Sequence, residues 1–161
     1  MRGGYTKMLK QKDYELLGHF RKDSRMSLTK MSRATKIPVS TIFDRMRKLK
    51  SENIINKHTS LIDFRKLGFE IRTLMLLSTQ KDKKSSLQNF LENHVKVNSL
   101  ARINNGYNFF TEVIFKNIAE FDQFLEELEE FNPLTKKEFF IMEELRKESF
   151  LTHKQNLGVQ R

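Results

Sequence analysis

"PVSTIFDRMRKLKSENII", residues 38–55, is the stretch whose reading decides the fold. Pro38 suits the first turn of a helix, because its missing N–H would find no partner there. Ser40 and Thr41 follow, then Arg45, Arg47, Lys48 and Lys50 within two turns, and the stretch closes on Ile54 and Ile55. At about 100° per residue, Ile42, Met46 and Leu49 fall within roughly 60° of one another. The same wheel puts Ser40, Asp44, Arg47, Lys48 and Ser51 on the opposite face, with Phe43 on the flank. A helix of this kind either carries an ordinary solvated face or presents its charges to phosphates, and its neighbours decide between the two.

Upstream, residues 12–21 read as a first helix, with Asp13 as its N-cap and Tyr14, Leu16, Leu17 and Phe20 as its apolar stripe. Ser27 is the N-cap candidate of a second helix whose buried face is Leu28, Met31 and Ala34. A short helix, a tight turn and a third helix make helix-turn-helix geometry. Downstream the period changes. "NIINKH" (53–58) and "TSLID" (59–63) read as two short strands joined by a tight turn, with Ile54, Ile55, Leu61 and Ile62 as their apolar members. Residues 1–7, with Gly3-Gly4, read as a mobile tail, and Met8 is a candidate natural start.

The charge is lopsided. Residues 1–65 hold 16 Lys or Arg against 6 Asp or Glu, whereas residues 66–161 hold 14 of each, so the whole net charge of +10 lies in the first two-fifths of the chain. A basic part joined to a neutral part points to a polyanion-binding module and a second module with another task. With 38% hydrophobic and 31% charged residues, the chain is expected to be soluble. Its longest apolar run, Leu74 to Leu77, is far too short to span a bilayer. The absence of cysteine excludes thiol catalysis, thiolate metal sites and disulfides, and fits the cytoplasm.

The neutral part reads as strand "FEIRTLMLLST" (69–79), helix "KKSSLQNFLENH" (83–94) capped near Ser85, strand "VKVNSLARI" (95–103), strand "YNFFTEVIF" (107–115), helix "IAEFDQFLEELEEF" (118–131) and strand "KKEFFIMEEL" (136–145). "NNG" at 104–106 carries the signal of a tight hairpin turn. Ile118, Phe121, Phe124, Leu125 and Leu128 face inward from the second of these helices, which Pro133 ends. The order β-α-β-β-α-β is the ferredoxin-like plan. Its two helices cover one face of the sheet, and Phe109, Phe110, Ile114, Phe139 and Ile141 supply apolar surface for the other. The expected class is therefore α+β: a winged helix-turn-helix domain at 8–65, a ferredoxin-like domain at 66–147 and a polar C-terminal arm at 148–161.

With these residues in place, the chain resembles the Lrp/AsnC family of prokaryotic transcription regulators from Met8 to about Arg146. The resemblance rests on Arg25 and Ser27 before the second helix, Arg45 and Leu49 near the end of the third, Ile54 and Ile55 entering the wing, and the closing Leu67-Gly68. It departs from the family at Lys36 and Asn53, where glycine is usual, at Asn108, where an aspartate is usual, and in "FNPLTKKEF" (131–139), which lacks a glycine. The resemblance implies a homodimer, extending to a tetramer or octamer, bound to double-stranded DNA. It also implies an amino-acid or other small-molecule effector near the hairpin, at Asn104, Asn105, Gly106 and Asn108. The asparagine at 108 removes the charge that would help hold an ammonium group.

For DNA, Ser40, Thr41 and Asp44 are candidates for base edges and Arg47 for a base or a phosphate. Arg45, Lys48 and Lys50 are candidates for phosphate or packing contacts. Arg25, Ser27 and Lys30 stand where the second helix would cross the backbone. Phe43 either meets a thymine methyl or packs. No Ser-His-Asp set, phosphate-cradling glycine loop or carboxylate pair is legible, and His19, His58, His94 and His153 are scattered, so no enzyme activity, metal or cofactor is expected. Two competitors share the plan: a DNA-coating architectural protein, and a tetrapyrrole decarboxylase that has given up DNA.

Overall fold

The computed structural model describes residues 9–152. The reading of residues 1–7, His153 and the end of the C-terminal arm lies outside the described residues. The chain divides into two compact units, one running to Ser60 and taking in Leu145 onward, the other Leu61–Glu144.

The first unit holds α1 (Gln11–Lys22), α2 (Leu28–Thr35) and α3 (Val39–Ser51). α1 begins one residue ahead of expectation, and its cap is not Asp13. Lys10 is its N-cap, and Asp13 sits at the third helical position, where it accepts the Lys10 N–H at 2.9 Å. An acidic group there satisfies an otherwise orphaned donor and meets the positive end of the helix dipole. Ser27 caps α2 as expected, its Oγ accepting the Lys30 N–H at 3.2 Å. α2 ends on Lys36 in the left-handed region, at φ 58°, which turns the chain into buried Ile37 and then into Pro38, the N-cap of α3. A lysine there accepts the strain that glycine would avoid.

Leu16, Met31, Ile37 and Ile42 form the core of this unit, with Phe20, Met26, Leu28 and Met46 packed against it. Ala34, expected inside, is exposed. The buried face of α2 rotates instead toward Thr35, one turn beyond Met31, whose hydroxyl donates to the Met31 carbonyl at 2.9 Å. The expected wing strands are also corrected, since residues 53–63 form no strand. Asn53 takes a left-handed φ of 55°, and the Ile54 and Ile55 N–H groups both fold back on the Leu49 carbonyl, at 2.9 and 3.1 Å. That spends the first apolar pair on the end of α3 and leaves Leu61 and Ile62 exposed. A two-stranded ribbon with no surface to cover it is marginal. Near the C-terminus, Arg21 pairs with Glu148 at 2.6 Å and donates to the Phe150 carbonyl at 3.3 Å.

The second unit is a four-stranded antiparallel sheet, in the order β2-β3-β1-β4, with two helices. Its elements are β1 (Ile71–Thr79), α4 (Lys84–Asn93), β2 (Val97–Arg102), β3 (Phe109–Phe115), α5 (Ile118–Glu129) and β4 (Pro133–Phe140), the ferredoxin-like plan. Residues Ile71, Thr73, Met75 and Leu77 of β1 stand opposite Phe115, Val113, Thr111 and Phe109 of β3. With alternation along each strand, these face the helices. Met75, Leu77, Phe109, Val113 and Phe115 join Leu87 and Leu91 of α4 and Phe121, Phe124 and Leu128 of α5 in one buried cluster.

Phe109, assigned from sequence to the opposite face, therefore belongs to this core. The open face is lined by Leu74 and Leu76 of β1, Phe110 and Ile114 of β3, and Phe139 and Ile141 at β4 and its end. Ile118 is exposed rather than inward, because it opens α5 ahead of the turn that reaches the sheet. Pro133 begins β4, α5 having ended four residues earlier. The N-cap of α4 is Lys83 and not Ser85, and Ser86 donates to the Lys83 carbonyl at 2.8 Å.

Candidate nucleic-acid interface

α3 is anchored by its inner face. Ile42 and Leu49 are buried and Met46 is half-buried, so the spacing that sorts them also fixes what points outward. Ser40, Phe43, Asp44, Arg47, Lys48 and Lys50 are exposed, and Thr41 is partly so. Arg25, Ser27 and Lys30 are exposed at the front of α2, although the Ser27 hydroxyl already serves as the helix cap. Among the described residues, the side chains of Arg25, Lys30 and Lys50 have no carboxylate partner, the Arg25 backbone N–H alone donating to Asp23 Oδ1 at 2.9 Å. Arg33 and Lys36, absent from the candidates read off the sequence, are likewise exposed and without a carboxylate. Their signal was the lack of a nearby acid in the stretch from Ser24 to Phe43.

Arg45 and Arg47, two residues apart, do different work. Arg45 turns back to α1 and meets Asp13 Oδ1 at 2.5 Å, with 22% of the arginine side chain and 13% of the aspartate side chain exposed. The carboxylate that caps α1 thus also fixes α3. The Arg45 guanidinium is a brace of the fold, and its Nε is buried without a partner. Arg47 points outward. Its Nη2 lies 3.2 Å from Asp44 Oδ1, and its guanidinium carbon lies 5.6 Å from the centre of the Phe43 ring. Lys48 stands 3.9 Å from Glu52, a loose exposed pair that water screens.

In the second unit the hairpin turn places Asn104, Asn105 and Gly106 in solvent, with Asn105 and Gly106 at φ 62° and 86°. Asn108 is half-buried and already employed. Its side-chain oxygen accepts the Thr79 N–H at 2.8 Å, its N–H donates to the Leu77 carbonyl at 2.8 Å, and its carbonyl accepts the Ile103 N–H at 3.1 Å. A groove of about 370 Å³ between α4 and β2, lined by Gln88, Glu92, Asn98, Ser99 and Arg102 over Phe109, does not include the turn.

Several charges of this unit are paired with one another. Arg72 binds Glu112, and Glu144 at 2.5 Å. Burial disfavours the Arg72 cation, but the hydrogen bonds it donates to Glu112 and Glu144, with the attraction of their charges, outweigh that and hold its pKa above the usual arginine value. Asn98 also donates to Glu112. Glu120 binds the Lys96 ammonium and accepts the Lys116 N–H, and these hydrogen bonds, the lysine's first, lower its pKa.

Residues 9–56 match a winged helix-turn-helix DNA-binding family. Over 143 residues the chain is 22% identical to an uncharacterized HTH-type transcriptional regulator of Pyrococcus abyssi, a match covering 89% of this chain and 97% of the relative. Among solved structures, LrpC of Bacillus subtilis superposes with a TM-score of 0.78 at 19% identity, over 86% of this chain and 98% of that one. A transcriptional regulator of Neisseria meningitidis, solved as its L-Met complex, superposes with a TM-score of 0.80 at 14% identity, over 87% and 94%. No helix among the described residues is long and apolar enough to cross a membrane.

Proposed function

We propose that this chain, whose residues 9–56 match a winged helix-turn-helix family, is a sequence-specific DNA-binding transcription regulator of Lrp/AsnC type that acts as a dimer. One observation carries the reading: α3 buries Ile42 and Leu49 while holding Arg47, Lys48 and Lys50 exposed on its other side. A helix held this way can enter a major groove with Ser40 and Thr41 near base edges and Lys48 and Lys50 near phosphates. Arg25, Lys30 and the cap of α2 stand ready for the adjoining backbone. Arg45 is assigned to the fold and not to DNA.

The dimer reading is supported by the open sheet face, where Leu74, Leu76, Phe110 and Phe139 form an apolar surface that the two helices leave uncovered. A second copy would cover it and space two recognition helices about one DNA turn apart. Small-molecule control is supported by the likeness to the Neisseria regulator. The exposed turn at Asn104–Gly106 remains its proposed place, with Asn108 holding that turn to β1 rather than gripping a ligand.

The test is selection of binding sites from random duplex DNA by the full chain, with and without an amino-acid mixture, followed by salt titration on the selected site. The expected result is a two-fold symmetric site with half-sites about one turn apart. Lys48→Ala should weaken binding evenly on all sequences and shallow the log–log salt slope by about 0.9 for each phosphate the chain no longer neutralises. A triple variant with Ala at Arg47, Lys48 and Lys50 that keeps full affinity would sink the reading.

A further inference from the structure

Phe43, Asp44 and Arg47 form an exposed patch in which a charge pair stands beside an aromatic ring that burial does not explain. Phe43 is 53% exposed on the polar side of α3, one turn before Arg47. On the wheel, Arg47 lies near the middle of the outward face, between Phe43 on one flank and Asp44 on the other. Asp44 holds Nη2 at 3.2 Å, and the Phe43 ring stands beside the guanidinium at 5.6 Å from its carbon. The carboxylate and the ring therefore stand on either side of an arginine that is 73% exposed, and would hold its fork once a groove excludes water from the three. A carboxylate facing a phosphate groove is unfavourable, so its presence at the centre of a basic helix calls for a local gain.

We infer that these three side chains read one thymine and one guanine on adjacent base pairs: Arg47 donates two hydrogen bonds to guanine N7 and O6, and Phe43 covers the thymine methyl. Asp44 is a positioning residue that holds the arginine fork. The chemistry follows from the groove itself, where guanine offers two acceptors to one guanidinium and thymine offers the one methyl group. Phe43 and Arg47 are four residues apart, a rise of about 6 Å along the helix, and side-chain reach spans the remainder to neighbouring base pairs. This inference rests on the DNA-binding reading and deepens it.

The experiment uses the full chain on its selected duplex and changes the DNA before the protein. Replacing the assigned thymine by uracil removes only the methyl and should weaken binding about fourfold, the worth of one buried methyl group. The same replacement should leave Phe43→Ala unaffected. Replacing the assigned guanine should cost the natural chain about tenfold or more and cost Arg47→Ala much less. Asp44→Ala should bind unrelated DNA more tightly while losing guanine discrimination, and Asp44→Asn, which keeps an oxygen acceptor, should restore part of that discrimination. A merely structural role for Asp44 would not split the two readouts. If the chain selects a site with no fixed thymine–guanine neighbour, or if uracil and thymine bind alike, the inference fails while the regulator reading stands. If no duplex is bound at low salt, both fail.

Discussion

The two domains differ in how their charges balance. In the second, Arg72, Lys96 and Lys136 each lie against a glutamate of the same unit, and the net charge from residue 66 onward is zero. In the first, the net charge up to residue 65 is +10; the side chains of Arg25, Lys30 and Lys50 have no carboxylate partner among the described residues, the Asp13–Arg45 pair is turned to the inside of the fold, and Asp44–Arg47 and Lys48–Glu52 lie exposed. The cores differ in the same direction. The first domain's cluster has four buried members, none aromatic, whereas the second has ten, four of them phenylalanine. A domain that leaves cations unpaired for a polyanion gives up stabilising interactions. Here it is joined to one whose apolar burial is ample.

The sharpest way to break this comparison is to damage the larger core. Phe124 is 1% exposed, and its ring lies 5.5 Å from Phe115, 5.9 Å from Phe90 and 4.8 Å from His94, centre to centre. Phe124→Ala should cost about 3–5 kcal/mol, through the transfer energy of the missing ring and the cavity left behind. Hydrogen exchange should locate the loss in β1, β3, α4 and α5 and leave α1–α3 protected as before. Equal loss of protection in both domains would show that the division into a stable partner and a charged reader is wrong.

Next in size is the brace of the smaller domain. Arg45→Ala leaves the buried Asp13 carboxylate with its strong partner gone. Removing one member of a buried pair costs about 3–5 kcal/mol, and the residual exposure here reduces that to about 2 kcal/mol. The loss should appear as a lower melting temperature for α1–α3. At low temperature, where the domain remains folded, DNA affinity should change less than in Lys48→Ala. An Arg45→Ala chain of unchanged stability that fails to bind DNA would return Arg45 to the interface.

Part of this contrast was legible in the sequence. The charge imbalance, the Ser27 cap, the two faces of α3 and the β-α-β-β-α-β order all follow from local pattern, and the structure keeps them. The Asp13–Arg45 pair was not legible, since 32 residues separate its members and each has an ordinary local reading, as a cap and as a basic helix residue. β3 misled because six of its seven residues are buried, so alternation no longer says which face Phe109 joins. Ile118 has the right period for burial and the wrong position, in the first turn of α5. The wing was misread because Ile54 and Ile55 suit a strand equally well, and hydrogen bonds to Leu49 decided otherwise.

The smallest expected effect concerns the paired glutamates of the second domain and shows itself through pH. Glu120 accepts from the Lys96 ammonium and the Lys116 N–H, and its pKa in the folded chain lies below the ordinary 4.5. A carboxyl whose folded pKa is depressed holds its proton less tightly than in the unfolded chain. Its contribution is therefore complete above the ordinary value and disappears as pH falls through the folded one. Glu120 is partly exposed to solvent, so the effect is small and should be read as a difference between two curves. Melting temperature measured from pH 7 to pH 2.5 should be slightly higher for the natural chain than for Glu120→Gln at neutral pH, and the two should converge in acid. A constant gap across the range would mean that Glu120 acts through packing and not through its charge. That result would also weaken the view that Lys96 and Lys136 are held by the charge of their glutamates, because Lys96–Glu120 is one of the two pairs on which the view depends.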